Sequence, residues 1–88
     1  DIALWGVNAV SLALFTSLLP EEKSACWIVD SNADHWILPF YEGHSVRNPE
    51  RLSPGFIQHV VICAPAYETE IRAQCYALGF HAGQVSCV

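Results

Sequence analysis

The chain has 88 residues, enough for one domain with a single core and close to the size at which burial only just suffices. Nine Asp and Glu against four Lys and Arg give a formal net charge of -5, so no basic cluster is available to neutralise a nucleic-acid backbone, and DNA and RNA are excluded as partners. Hydrophobic residues make up 52% of the sequence and the mean hydropathy is +0.27, which predicts apolar surface that meets a neighbouring domain or a second copy of the chain.

Asp1 stands where a secretory signal would place basic residues, and the sequence contains no Met, so it reads as a piece of a longer protein. Residues 2–5, Ile-Ala-Leu-Trp, form an apolar run ending at Gly6, the pattern of a strand buried on both faces. Asn8 is a good N-cap, and Val10, Ala13, Leu14 and Leu18 then recur at helical spacing until Pro20 stops the run. Residues 21–24 are a polar connection, and residues 25–29 are a second apolar run ending at Asp30. Strand, tight turn, helix and strand predict a parallel β-α-β unit. Asn8, Thr16 and Pro20 interrupt the apolar stretches far short of the ~20 residues that a membrane span requires, so a membrane is excluded as well.

The middle is irregular. A turn at Glu42-Gly43, a short strand at residues 44–46 and one helical turn at residues 49–52 are expected there. Residues 59–63, His-Val-Val-Ile-Cys, are β-branched and apolar, as in a central strand, and Pro65 ends them. A helix follows, with Tyr67, Ile71, Cys75 (or Gln74) and Leu78 on one stripe, and with Glu68 and Glu70 near its positive N-terminal end. Gly79 sits where a left-handed C-terminal cap belongs, and Phe80 supplies the hydrophobic contact of that cap. Residues 84–88 alternate polar and apolar like an edge strand. The expected fold is α/β over residues 1–88: a small, Rossmann-like, three-layer open parallel sheet of about five strands in order 3-2-1-4-5, with helices on both faces and right-handed crossovers.

Cys26, Cys63, Cys75 and Cys87 form no C-x-x-C pair and lie in apolar segments, which predicts buried, reduced thiols in a cytoplasmic protein and no zinc. His35, His44, His59 and His81 are equally scattered; His59 and His81 flank strands and read as structural. No nucleophile, base and orienting group occur as a set, so catalysis by this chain alone is not expected.

In a sheet of this order a ligand sits beyond the carboxyl ends of the strands, at the switch point. Three segments meet there: Gly6, Val7, Asn8 and Ala9; Asp30, Ser31 and Asn32; and Ala64, Pro65, Ala66 and Tyr67. The candidate binding residues are Gly6, Asn8, Ala9, Asp30, Asn32, Pro65 and Tyr67. A dinucleotide fingerprint places Gly at its first, third and sixth positions, which here are Gly6, Asn8 and Ser11. If the turn holds a ligand, an anion faces the amides at the start of its helix. Asp30 either accepts hydrogen bonds from ribose hydroxyls or caps the turn with Ser31 and Asn32, and its position outside the core predicts that Asp30→Ala leaves the fold intact. Tyr67, Trp36, Phe40 and Tyr41 offer faces for stacking on a base, and Arg47 pairs with either a phosphate or Glu50.

The succession "LWGVNAVS", "IVDSN", "GHSVRNPERL", "HVVICAP" and "EIRAQCYALGF" resembles the small Rossmann-like domains of sugar-modifying enzymes. It is similar to the C-terminal domain of bacterial sugar C-methyltransferases and to the N-terminal domain of sugar-nucleotide acyltransferases. The resemblance rests on Gly6, Asp30 to Asn32, Gly43 to Val46, Pro49 to Leu52, and Glu70 to Gln74. It implies a domain that holds a nucleotide or nucleotide sugar, or that supports a neighbouring catalytic domain. Three functions follow, in order of preference: a non-catalytic nucleotide- or nucleotide-sugar-binding domain of a larger transferase, a packing or dimerisation module without a ligand, and an NAD(P)-linked oxidoreductase domain.

Overall fold

A computed structural model of the chain describes residues 1–33 and 43–88. Five strands, β1 (Ile2–Trp5), β2 (Cys26–Val29), β3 (Val46–Arg47), β4 (His59–Ile62) and β5 (Val85–Cys87), form one sheet in the order β3-β2-β1-β4-β5. Every neighbouring pair is parallel. The α/β class, the strand order and the placement of helices on both faces are therefore as the sequence predicts.

Period-two alternation divides the strand side chains between two cores. On one face Ala3, Trp5, Val29, Val60, Ile62 and Val85 pack against Ile71 and Cys75 of α3 (Glu68–Ala77), with Leu52, Ile57 and Phe80 closing the edges. On the other, Leu4, Cys26, Ile28 and Cys63 pack against Phe15 of α1 (Ala9–Thr16). A strand buried on both faces must be apolar at every position, which is why β1 reads as an unbroken run rather than an alternating one.

Both main helices are set by their ends. In α1 the Asn8 side-chain oxygen accepts from the backbone N–H groups of Val10 (2.9 Å) and Ser11 (3.1 Å), while the Ser11 hydroxyl accepts from Asn8 N–H (3.0 Å), a reciprocal cap. In α3 the Gly79 N–H donates to Tyr76 O and the Phe80 N–H to Cys75 O, both at 3.1 Å, with Gly79 at φ +104° and Phe80 buried. That is the Schellman pattern expected from Gly79-Phe80.

Four expectations change in detail. Of the predicted stripe Val10, Ala13, Leu14 and Leu18, Leu14 and Leu18 pack against the core, but Val10 (42% exposed) and Ala13 face outward, and the fully buried residues of α1 are Ser11 and Phe15. The segment is apolar nearly all round and carries no rotational signal of its own, so packing against the sheet fixes the phase. Pro20 does not merely stop a helix: α1 ends at Thr16, and Pro20 opens the short α2 (Pro20–Ser24) from its first position, where its missing N–H costs nothing. The third strand lies at Val46–Arg47 rather than at residues 44–46, because only these two find partners, opposite Ile28 and Val29. His44 instead sets its ring edge-on to Phe15 at 4.8 Å, with Nε2 3.1 Å from Lys23 O. Tyr67 belongs to a separate 3-10 turn (Pro65–Tyr67) and is exposed, while the inward stripe of α3 is Ile71 and Cys75. Glu42 and the aromatic residues Trp36, Phe40 and Tyr41 lie outside the described residues.

Among the described residues no helix is long and apolar enough to cross a membrane, and no group of three His, Cys, Asp or Glu is placed to hold a metal ion. Cys26, Cys63 and Cys75 are free and buried, and burial pushes each thiol from 9.0 up to about 11. The folded chain thus keeps these protons to higher pH than the unfolded chain. Their contribution to stability is full below pH 9 and is lost as the pH rises towards about 11. The urea midpoint is expected to fall across this window and these three native thiols to resist alkylation at neutral pH, whereas Cys87 is only half-buried; fast native labelling of Cys26, Cys63 and Cys75 would show that they reach water.

Candidate functional site

β1, β2 and β4 end together. Their register places Trp5 beside Val29 on one side and Ile62 on the other, so the segments that follow open onto one edge of the sheet. A cleft of about 470 Å³ lies there. Its floor is Trp5 and Gly6, and one wall is the Val7-Asn8 turn with Asp30, Ser31 and Asn32. The other wall is Ala64, Tyr67 and the Glu70, Ile71 and Gln74 face of α3.

Five of the seven sequence candidates, Gly6, Asn8, Asp30, Asn32 and Tyr67, line this cleft; Ala9 and Pro65 do not. Ala9 is the exposed first residue of α1, and Pro65 is the exposed first residue of the 3-10 turn. Trp5, Glu70, Ile71 and Gln74, outside the three predicted segments, are additional. Glu70 and Gln74 stand four apart at the start of the helix after β4, a spacing that puts both on one face.

The turn from β1 to α1 closes on itself. Gly6 has φ +112°, and a Cβ there would come within 3.3 Å of the Ala64 Cβ, so the glycine lets the ends of β1 and β4 approach. Its N–H donates to Val29 O (2.8 Å), and the next N–H, of Val7, donates to Asp30 Oδ2 (3.0 Å). The Asn8 amide donates through Nδ2 to Cys63 O (2.8 Å), tying the turn to the end of β4. Ser11, at the sixth position of the fingerprint, is fully buried; its hydroxyl donates back to Asn8 O (3.1 Å) and lets α1 lie close to the sheet without an orphaned polar group. The amides of Val7, Asn8, Val10 and Ser11 therefore all have acceptors inside the protein. A phosphate bound by these four amides would have to displace their present acceptors.

Asp30 takes the capping role of its two sequence readings and adds a bond to the β1–α1 turn. Oδ1 accepts from Asn32 N–H (2.8 Å), which caps the turn after β2, and Oδ2 accepts from Val7 N–H in the neighbouring turn after β1. A carboxylate has about four lone-pair sites, so acceptor capacity remains on a half-buried group facing the cavity. The expectation that the fold ignores Asp30→Ala is corrected, because the carboxylate joins the β1 and β2 turns.

Arg47 does not pair with Glu50. Its guanidinium lies over the Trp27 ring, 4.3 Å from the centroid, and Trp27 is itself 5.0 Å from the Phe56 ring. Nε2 of His59 lies 2.9 Å from the Ser86 hydroxyl and links β4 to β5, as a structural role requires.

No known family, curated protein or solved structure matches the chain. The resemblance to domains of sugar-modifying enzymes therefore stands on its short motifs.

Proposed function

We propose that this is a non-catalytic binding domain of a larger sugar-modifying transferase, and that its cleft takes the nucleoside end of a nucleotide or nucleotide sugar. One observation carries the reading: a half-buried carboxylate with acceptor capacity, Asp30, and an exposed aromatic ring, Tyr67, line the same 470 Å³ cavity at the switch point of the sheet. Ribose or sugar hydroxyls donate to Asp30, and a base lies against Tyr67. The chain's four cations, Lys23, Arg47, Arg51 and Arg72, all lie outside the cleft lining, so the phosphates point away from it. A nicotinamide dinucleotide fits less well, because Asn8 and Ser11 fill the turn where a pyrophosphate would approach the backbone.

Titration of the labelled domain with nucleosides, nucleotides and nucleotide sugars, followed by amide NMR, is expected to shift Gly6, Asn8, Asp30 and Tyr67. Tyr67→Ala is expected to weaken binding about tenfold, the lower part of the range for one base stacked on one ring, without moving the unfolding midpoint, because the ring is 64% exposed. Should none of these ligands move a cleft resonance, the packing-module reading takes first place. It has its own support in an apolar groove on the α1 face, formed by Ile2, Leu4, Leu14, Leu18, Val61 and Val88.

A further inference from the structure

We propose that a second cavity on the same edge of the sheet is an anion site fitted to a phosphate group. It holds about 340 Å³ and is lined by Ala33, Val46, Arg47, Asn48, Glu50 and Arg51, at the carboxyl end of β3. The Asp30 N–H donates to Arg47 O (3.1 Å), so among the described residues the turn of residues 30–33 borders both this cavity and the cleft.

Two of only four cations in an acidic chain converge here. Arg72 is committed elsewhere, to Glu68 at 2.7 Å and Val85 O at 3.2 Å, whereas neither Arg47 nor Arg51 is paired with a carboxylate among the described residues. Arg47 is held by its face: stacked on Trp27, its guanidinium keeps its N–H edges for acceptors, in a fork that matches two phosphate oxygens. Asn48 uses its Oδ1 to cap Glu50 N–H (2.9 Å), which leaves the carboxamide NH2 as the group it offers an acceptor. Glu50 opposes one of the two positive charges, and the balance remains positive in a protein whose net charge is -5. Charged donors, of which the β1–α1 turn has none, are thus supplied two strands away, about 10 Å along the sheet.

This site uses none of the residues of the cleft, so the two proposals fail separately: a nucleoside alone tests the cleft, and inorganic phosphate alone tests the cavity. Titration with inorganic phosphate is expected to shift the backbone of residues 46–51 and the arginine Nε–H signals, and to leave residues 7–11 unmoved. Arg51→Gln, an exposed change that the fold tolerates, is expected to weaken phosphate binding about tenfold, as for loss of one charge-assisted pair. Glu50→Gln is expected to tighten it, which a merely structural role for this turn would not do, and added NaCl to weaken it by screening. Absence of shifts at 46–51, shifts at 7–11 instead, or unchanged affinity in Arg51→Gln and Glu50→Gln would overturn the proposal.

Discussion

Trp5→Ala is expected to lower the unfolding free energy by about 3–5 kcal/mol, the cost of emptying a large buried aromatic site. Trp5 is 2% exposed and ends the central strand, between Val29 and Ile62, in the core that α3 covers. Its backbone O accepts from Cys63 N–H at 2.8 Å, so this position also carries the last rung between β1 and β4. A domain of this length has of order 5–10 kcal/mol in total, so the variant retains a fraction of its stability and opens the floor of the cleft with it. Urea unfolding followed by circular dichroism measures the change. Trp5→Phe is expected to recover most of the loss, since it refills the greater part of the volume. A cost below about 1 kcal/mol for Trp5→Ala would mean that the ring is not packed as described.

Gly6→Ala is expected to cost about 2–4 kcal/mol, from two sources that a control separates. The first is backbone strain, because φ +112° is a conformation that residues with a Cβ rarely adopt. The second is contact: the new methyl would sit 3.3 Å from the Ala64 Cβ, which has no rotamer to move away. Gly43 has φ +86° and nothing within 4 Å of its would-be Cβ among the described residues, so Gly43→Ala carries the strain alone, about 1–2 kcal/mol. Equal losses at the two sites would show that the approach of β1 to β4 is looser than the structure has it. Because Gly6 lines the cleft, its change should also weaken any ligand there, whereas that at Gly43 should not.

The bond from Asn8 to Cys63 O shows why the site was only half legible. Asn8 reads from the sequence as a helix cap, and it is one, since a cap is satisfied within three residues of itself. That its amide also bridges to a residue 55 positions away is decided by strand pairing alone. Asp30 behaves likewise. Its bond to Asn32 is local and was one of two readings, while its bond to Val7 spans 23 positions and makes it part of the turn it faces. Trp5, Glu70, Ile71 and Gln74 were missed as cleft residues because each has a sufficient local explanation: strand core, helix N-terminus, the buried stripe of the helix and helix surface.

By itself the sequence determined the features that local chemistry specifies: apolar runs long enough for strands, the Asn8 cap, the Gly79-Phe80 stop, and the alternation of helix and strand that makes the sheet parallel and orders it 3-2-1-4-5. Only the tertiary structure decided the phase of α1, the two-residue extent of β3, and the placing of Arg47 over Trp27 rather than on Glu50. The physical reason is the same in each case. α1 is apolar on all sides, β3 is too short to carry a period, and Arg47 chooses between partners of similar reach. In each of them the neighbour across the fold, not the neighbour along the chain, supplies the energy difference.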